Sequence, residues 1–204
     1  VRRNTKTSAK IKKAFINLMK VKGFESLTVR DITSTAKINR STFYAHYNDK
    51  YDLLKSYENS VLKSLSQTLN NNLNSLTKSQ NIKVDDESYP VINLIIGYIE
   101  SEFDLIKVLL TISSFGEKIK NILRQIIIKG LYLDKGNNKT VGTIPNDYAY
   151  EIIVSGLLST ITYWLSKDHP ENKDTIIDII LKSRYLSPYD LLGVDDQFGN
   201  TIRV

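Results

Sequence analysis

From residue 8 to about residue 185 the apolar side chains recur every three or four positions, and no strand-length alternation competes with that period. A chain patterned this way buries its apolar side chains by packing helices together, so the spacing predicts an all-α fold. With 204 residues and 41% hydrophobic content, it can bury a real core.

The spacing also predicts where the helices lie. Over residues 8–22, Ile11, Ala14, Phe15, Leu18 and Met19 form one face of an amphipathic helix with lysines filling other positions, and Gly23 suits its left-handed end. Thr28 and Asp31 form a Thr-x-x-Asp start for a second helix. Asn39 is an N-cap candidate for a short third helix over Arg40–His46, anchored inward by Phe43 and Tyr47. Asn48 and Asp49 then cap a long fourth helix with a stripe of Leu53, Tyr57, Val61, Leu65, Leu69, Leu73 and Leu76, which frays within residues 70–86.

Further helices are expected over Tyr89–Leu110, Glu117–Leu133, Pro145–Ser166 and from Asn172 or Lys173 to Tyr185, with breaks at residues 111–116 and a connection at 134–145. These elements divide the chain into a helix-turn-helix head at 1–50, joined by the long helix to a helical-bundle body at 51–194. The tail at 195–204 has no periodic pattern and is expected to be partly disordered or of non-native origin.

Charge is divided along the same line. Residues 1–50 hold twelve Lys and Arg against three acids, a net +9, while the whole chain carries +6 and the remainder therefore −3. A basic head on a mildly acidic body suits a partner rich in phosphate, because Lys and Arg displace its condensed counterions. Charge alone leaves a solvated basic surface equally open.

The sequence is poor in other chemistry. It has no Cys, and its two histidines, His46 and His169, lie far apart. Neither a nucleophile with a base nor a set of metal ligands nor a Gly-rich phosphate loop is present, so no enzyme activity, metal or cofactor is expected. No window approaches ~18 consecutive apolar residues, and the basic N-terminal stretch lacks a signal-like apolar region, which points to a cytoplasmic protein with no membrane partner.

The third helix carries the side chains that break the tie over charge. The DNA major groove, about 12 Å wide, admits one α-helix whose outward residues read base edges. With Phe43 and Tyr47 inward, Arg40, Ser41, Thr42, Tyr44 and His46 lie on the outer side. Arg40 suits a two-pronged contact with guanine, Thr42 a phosphate or a thymine methyl, and Tyr44 and His46 backbone oxygens. Thr28 and Lys50, at helix starts, are candidate phosphate clamps, and Arg30 can reach a phosphate or a base.

At this level of detail the chain resembles the tetracycline-repressor-like (TetR) family of transcriptional regulators. The resemblance rests on Lys22-Gly23-Phe24, on Leu27-Thr28-Val29-Arg30-Asp31-Ile32, and on the run from Ser41-Thr42-Phe43-Tyr44 through Lys50 to Leu54, and it extends over residues 8–57. It implies that Thr28, Arg30, Arg40, Ser41, Thr42, Tyr44, His46 and Lys50 lie at or near double-stranded DNA. Asn39, where a small residue is common, and Ser41, where Gly or Pro is frequent, depart from the pattern and bear on base preference more than on fold.

The resemblance further implies a homodimer paired through the last two long helices and bound to a pseudopalindromic operator, with a small-molecule effector in the body controlling release. Ile153, Gly156, Leu157, Thr160, Ile176 and Ile180 are the candidate dimer contacts, and Tyr98, Phe103, Phe115, Tyr132 and Trp164 the candidate effector walls. In each set, ordinary core packing is the competing explanation. The alternative function is a helical adaptor that binds a protein through its head, without DNA or ligand.

Overall fold

A computed structural model describes residues 2–71, 90–135 and 145–183. Every regular element among these residues is helical. In chain order they are α1 (Arg2–Lys22), α2 (Val29–Ala36), α3 (Arg40–Tyr44), α4 (Lys50–Asn71), α5 (Pro90–Ser101), α6 (Phe103–Leu109), α7 (Ser113–Lys135), α8 (Asn146–Ser166) and α9 (Lys173–Lys182). No described helix is long and apolar enough to cross a membrane.

Helices α1 to α3 form the head around Ile11, Phe15, Leu27, Ile32 and Phe43, all fully buried. The head is closed by α4, which brings Leu53 into the same core and sets Tyr57 against Phe15, their ring centroids 5.2 Å apart. At about 1.5 Å per residue, the 22 residues of α4 run roughly 33 Å from head to body. Its buried stripe of Leu53, Tyr57, Val61, Leu65 and Leu69 keeps the predicted register, so head and body share one continuous apolar cluster. Leu73, Leu76 and most of the expected 70–86 loop lie outside the described residues, as do most of the 134–145 connection and the whole 195–204 tail.

Several boundaries differ from the periodic reading. Helix α1 starts at Arg2 rather than residue 8, because the polar residues before Lys10 hold helical backbone without adding to the apolar stripe. The expected Tyr89–Leu110 helix is two helices, broken at Glu102, whose backbone turns to φ −117° and ψ 22°. The Glu102 N–H is shared between the carbonyls of Tyr98 and Ile99, at 3.1 and 3.3 Å, so the ladder bends while the apolar period runs on across the joint. Helix α7 begins at Ser113, four residues before the expected Glu117, and Pro145 precedes α8 as its N-cap instead of entering the first turn. The last helix ends at Lys182; Tyr185 lies outside the described residues.

Polar contacts tie the two halves together. On α1, Lys12 pairs with Glu102 and Lys20 with Asp104 of α6. Glu58 of α4, only 4% exposed, receives the Lys118 ammonium of α7 at 2.5 Å. A carboxylate this buried needs that partner to offset its lost hydration. The two pairs from α1 arise because α6 packs against it, and the Glu58 pair because α7 packs against α4 within the body.

Candidate nucleic-acid interface

The platform under α3 is built by aromatic packing. Phe43 is fully buried, and its ring meets those of Tyr44 and Tyr47, each at 5.6 Å between centroids. That fixes the helix by its inner side and leaves Arg40, Ser41 and Tyr44 exposed, with Thr42 and His46 half-buried at the edges. Helix α3 itself spans Arg40–Tyr44, and the chain continues as a turn through His46, shorter than the expected helix. Asn39 is the N-cap residue, as its sequence predicts, with extended backbone and a carbonyl that accepts the Phe43 N–H at 3.2 Å, but its side chain makes no capping hydrogen bond.

Helix α2 starts as its sequence predicts. The Asp31 N–H donates to Thr28 Oγ1 at 3.2 Å, while Asp31 Oδ2 accepts from the Thr28 N–H at 2.9 Å and from the Thr28 hydroxyl at 2.5 Å. Lys22 Nζ reaches the same carboxylate oxygen at 2.5 Å, a partner that the capping pattern does not reveal. The Thr28 hydroxyl is thus already engaged within the protein, and the exposed Arg30 is the freer of the two predicted contacts.

The Lys22 ammonium, and after it the Thr28 hydroxyl and amide, hold the Asp31 carboxyl down to about 2, from an ordinary value of 3.8. A folded value below the unfolded one means that the contribution is complete above the unfolded value and lost as pH falls from about 4 towards 2. Asp31→Asn is therefore expected to lower the thermal midpoint at pH 7, and the gap from wild type should close as the pH approaches 2. Melting curves across that range check it; a constant gap would contradict the assignment.

Lys50 is placed differently from a free clamp. Its Nζ donates to the carbonyls of Phe24 at 3.1 Å and Glu25 at 2.9 Å and sits over the Phe24 ring, 4.8 Å from its centroid. It ties the start of α4 to the turn after α1, leaving one ammonium N–H for a phosphate. Lys12, Lys20 and Lys22 are likewise paired with carboxylates. The +9 head count thus overstates the charge open to a partner, a correction that only tertiary contacts supply. Lys6, Lys10, Lys13, Arg30, Lys37 and Arg40 remain without a partner among the described residues.

In the body, the structure separates the predicted site residues. Phe115 and Trp164 are core residues: Phe115 is fully buried, and the Trp164 indole N–H donates to the Glu171 carbonyl at 2.8 Å. Phe103 stands edge-on to Trp164 at 5.4 Å, Tyr98 is half-buried, and the Tyr132 side chain lies outside the described residues. Phe103 and Trp164 pack ring against ring, and Phe115 belongs to the buried core cluster.

Of the candidate dimer contacts, Ile176 and Ile180 are buried in the protomer's own core, which corrects their assignment to an outer face. Ile153 and Gly156 are exposed, and Leu157 and Thr160 half-buried. Tyr148, Ile152 and Tyr163 are exposed by 64%, 62% and 67%; Ile152 and Tyr163 lie on the helix expected to pair, and Tyr148 is the residue that the sequence reading missed. With Gly156 and Ser159 they follow helical spacing along one side of α8, and a Cβ added at Gly156 would meet no atom within 4 Å.

Comparison with known proteins places this architecture. Residues 11–57 match the family described as bacterial regulatory proteins, tetR family, and residues 86–184 match that described as transcriptional regulator C-terminal region. A helix-turn-helix head on a helical regulatory body defines a DNA-binding transcriptional regulator. The chain belongs to the TetR family. No curated protein matches it.

Among solved structures, a TetR transcriptional regulator from Streptococcus agalactiae is 23% identical, with 89% of this chain and 95% of that one covered at a TM-score of 0.52. A fatty acid degradation regulator from Bacillus halodurans is 15% identical, covering 86% and 93% at 0.57. A TetR-family regulator from Thermus thermophilus is 17% identical, covering 84% and 97% at 0.54. Identities this low speak for the shared fold.

Proposed function

We propose that this protein is a homodimeric repressor whose head, residues 1–50, binds a pseudopalindromic operator and whose body, residues 51–194, pairs the subunits and takes a small-molecule effector. The observation that carries the reading is the exposed Arg40, Ser41 and Tyr44 surface, held on the buried Phe43 and flanked by unpaired basic side chains. Arg40 would reach base edges, Thr42 and Tyr44 would fix the helix in the groove, and Arg30, His46 and the remaining Lys50 N–H would hold the backbone.

Two heads about 34 Å apart would meet successive turns of one DNA face. Pairing is supported by the uncovered apolar side of α8. The ion pairs from α1 to α6 and from α4 to α7 would carry a change in the body to the heads, and an effector releases DNA only by as much as it binds the released arrangement better.

Binding to the duplex flanking the protein's own gene tests the DNA surface. Tyr44→Ala is expected to weaken that binding by about 1–3 kcal/mol, as the loss of a groove contact does, with only a small drop in melting midpoint from the lost edge contact to Phe43, since the ring is otherwise exposed. Equal affinity of wild type and variant would remove α3 from the interface. An absence of duplex binding even at low salt would favour the adaptor alternative.

A further inference from the structure

Lys37 ends α2 with φ 53° and ψ 53°, and it is the single non-glycine residue with positive φ among the described residues. Its backbone N–H answers the Thr33 and Ser34 carbonyls, which satisfies the end of the helix. A glycine would make the same turn without a Cβ penalty, so the turn does not require lysine. A strained backbone retained at an exposed polar side chain calls for a role of that side chain.

The surroundings of Lys37 suggest one. An open groove of about 440 Å³ is lined by Thr7 of α1, Thr33 and Ser34 of α2, Lys37, Ile38 and Asn39 of the turn, and Thr42 of α3. No acidic residue lines it, Thr42 joins it to the exposed side of α3, and neither the Lys37 ammonium nor the Asn39 carboxamide has a partner among the described residues. We propose that Lys37 anchors a DNA-backbone phosphate in this groove, beside the bases probed by α3. The proposal rests on the DNA-binding reading above. A lysine that merely complements the α2 dipole would affect melting and leave the salt dependence of DNA binding unchanged.

Lys37→Gly removes the charge while keeping the left-handed turn, and Lys37→Asn, also tolerant of that backbone, serves as a second variant. Affinity for the duplex flanking the gene is measured from about 0.05 to 0.5 M salt, beside wild type and Tyr44→Ala. Each phosphate contact contributes about 0.9 to the slope of log K against log salt, so losing one in each of two heads flattens it by about 1.8 and weakens binding about thirtyfold at 0.15 M. Melting midpoints of the two variants at or above wild type would accompany that result.

An unchanged slope in both Lys37 variants, with Tyr44→Ala weakened, overturns the anchor and leaves the DNA-binding reading standing. Wild type that binds no duplex at the lowest salt overturns both.

Discussion

Phe43→Ala is expected to remove about 3–5 kcal/mol of stability, a large part of what a small domain holds, and to abolish DNA binding with it. The ring is 0% exposed and lies between α3 and the rest of the head, in contact with Tyr44 and Tyr47. Its loss would leave a cavity beneath a helix of 5 residues, too short to persist without packing. Chemical denaturation followed by circular dichroism reads the loss. A variant that melts like wild type would mean that α3 is held by something other than Phe43, and the platform would have to be redrawn.

Ile152→Glu should have the second large effect, through association instead of folding. Ile152 is 62% exposed on the uncovered side of α8, so the protomer itself loses little when it changes. A pair of glutamates facing each other across a two-fold axis would oppose dimerisation by charge and desolvation. Sedimentation should show half the wild-type mass. Operator affinity should fall by about 10²–10⁴, the advantage of binding two linked heads over one. An unchanged mass would move the partner surface away from Tyr148, Ile152 and Tyr163.

The two predictions differ in how far the residues alone foretold them. Phe43 was legible as an anchor because a short polar helix offers few apolar side chains, and spacing four residues from Tyr47 puts both on one side. The outer side of α8 was legible only in part: Ile152, Gly156 and Tyr163 stood out on a helix expected to pair, but not which of its apolar residues face outward. Tyr148, Ile152, Ile153, Leu157, Ile161 and Trp164 surround the helix with apolar residues, and hydrophobicity gives no direction when it points everywhere. The same difficulty placed Ile176 and Ile180 on a partner surface, whereas α9 turns them into the protomer core.

Local chemistry, acting over three or four residues, is what the sequence by itself determined. The Thr28 and Asp31 capping box, the left-handed Gly23 at φ 70°, the α4 stripe and the charge division all follow from neighbours along the chain. Tertiary structure decided everything that depends on which helix lies opposite. It broke the ladder at Glu102, set Glu102 and Asp104 against Lys12 and Lys20, turned the Lys50 ammonium onto the Phe24 and Glu25 carbonyls, and left Lys37 facing a groove. A lysine contributes the same charge to the sequence in all of these places. Whether that charge is neutralised by a carboxylate, held by carbonyls or left for a phosphate depends on atoms brought within a few ångströms by residues far along the chain.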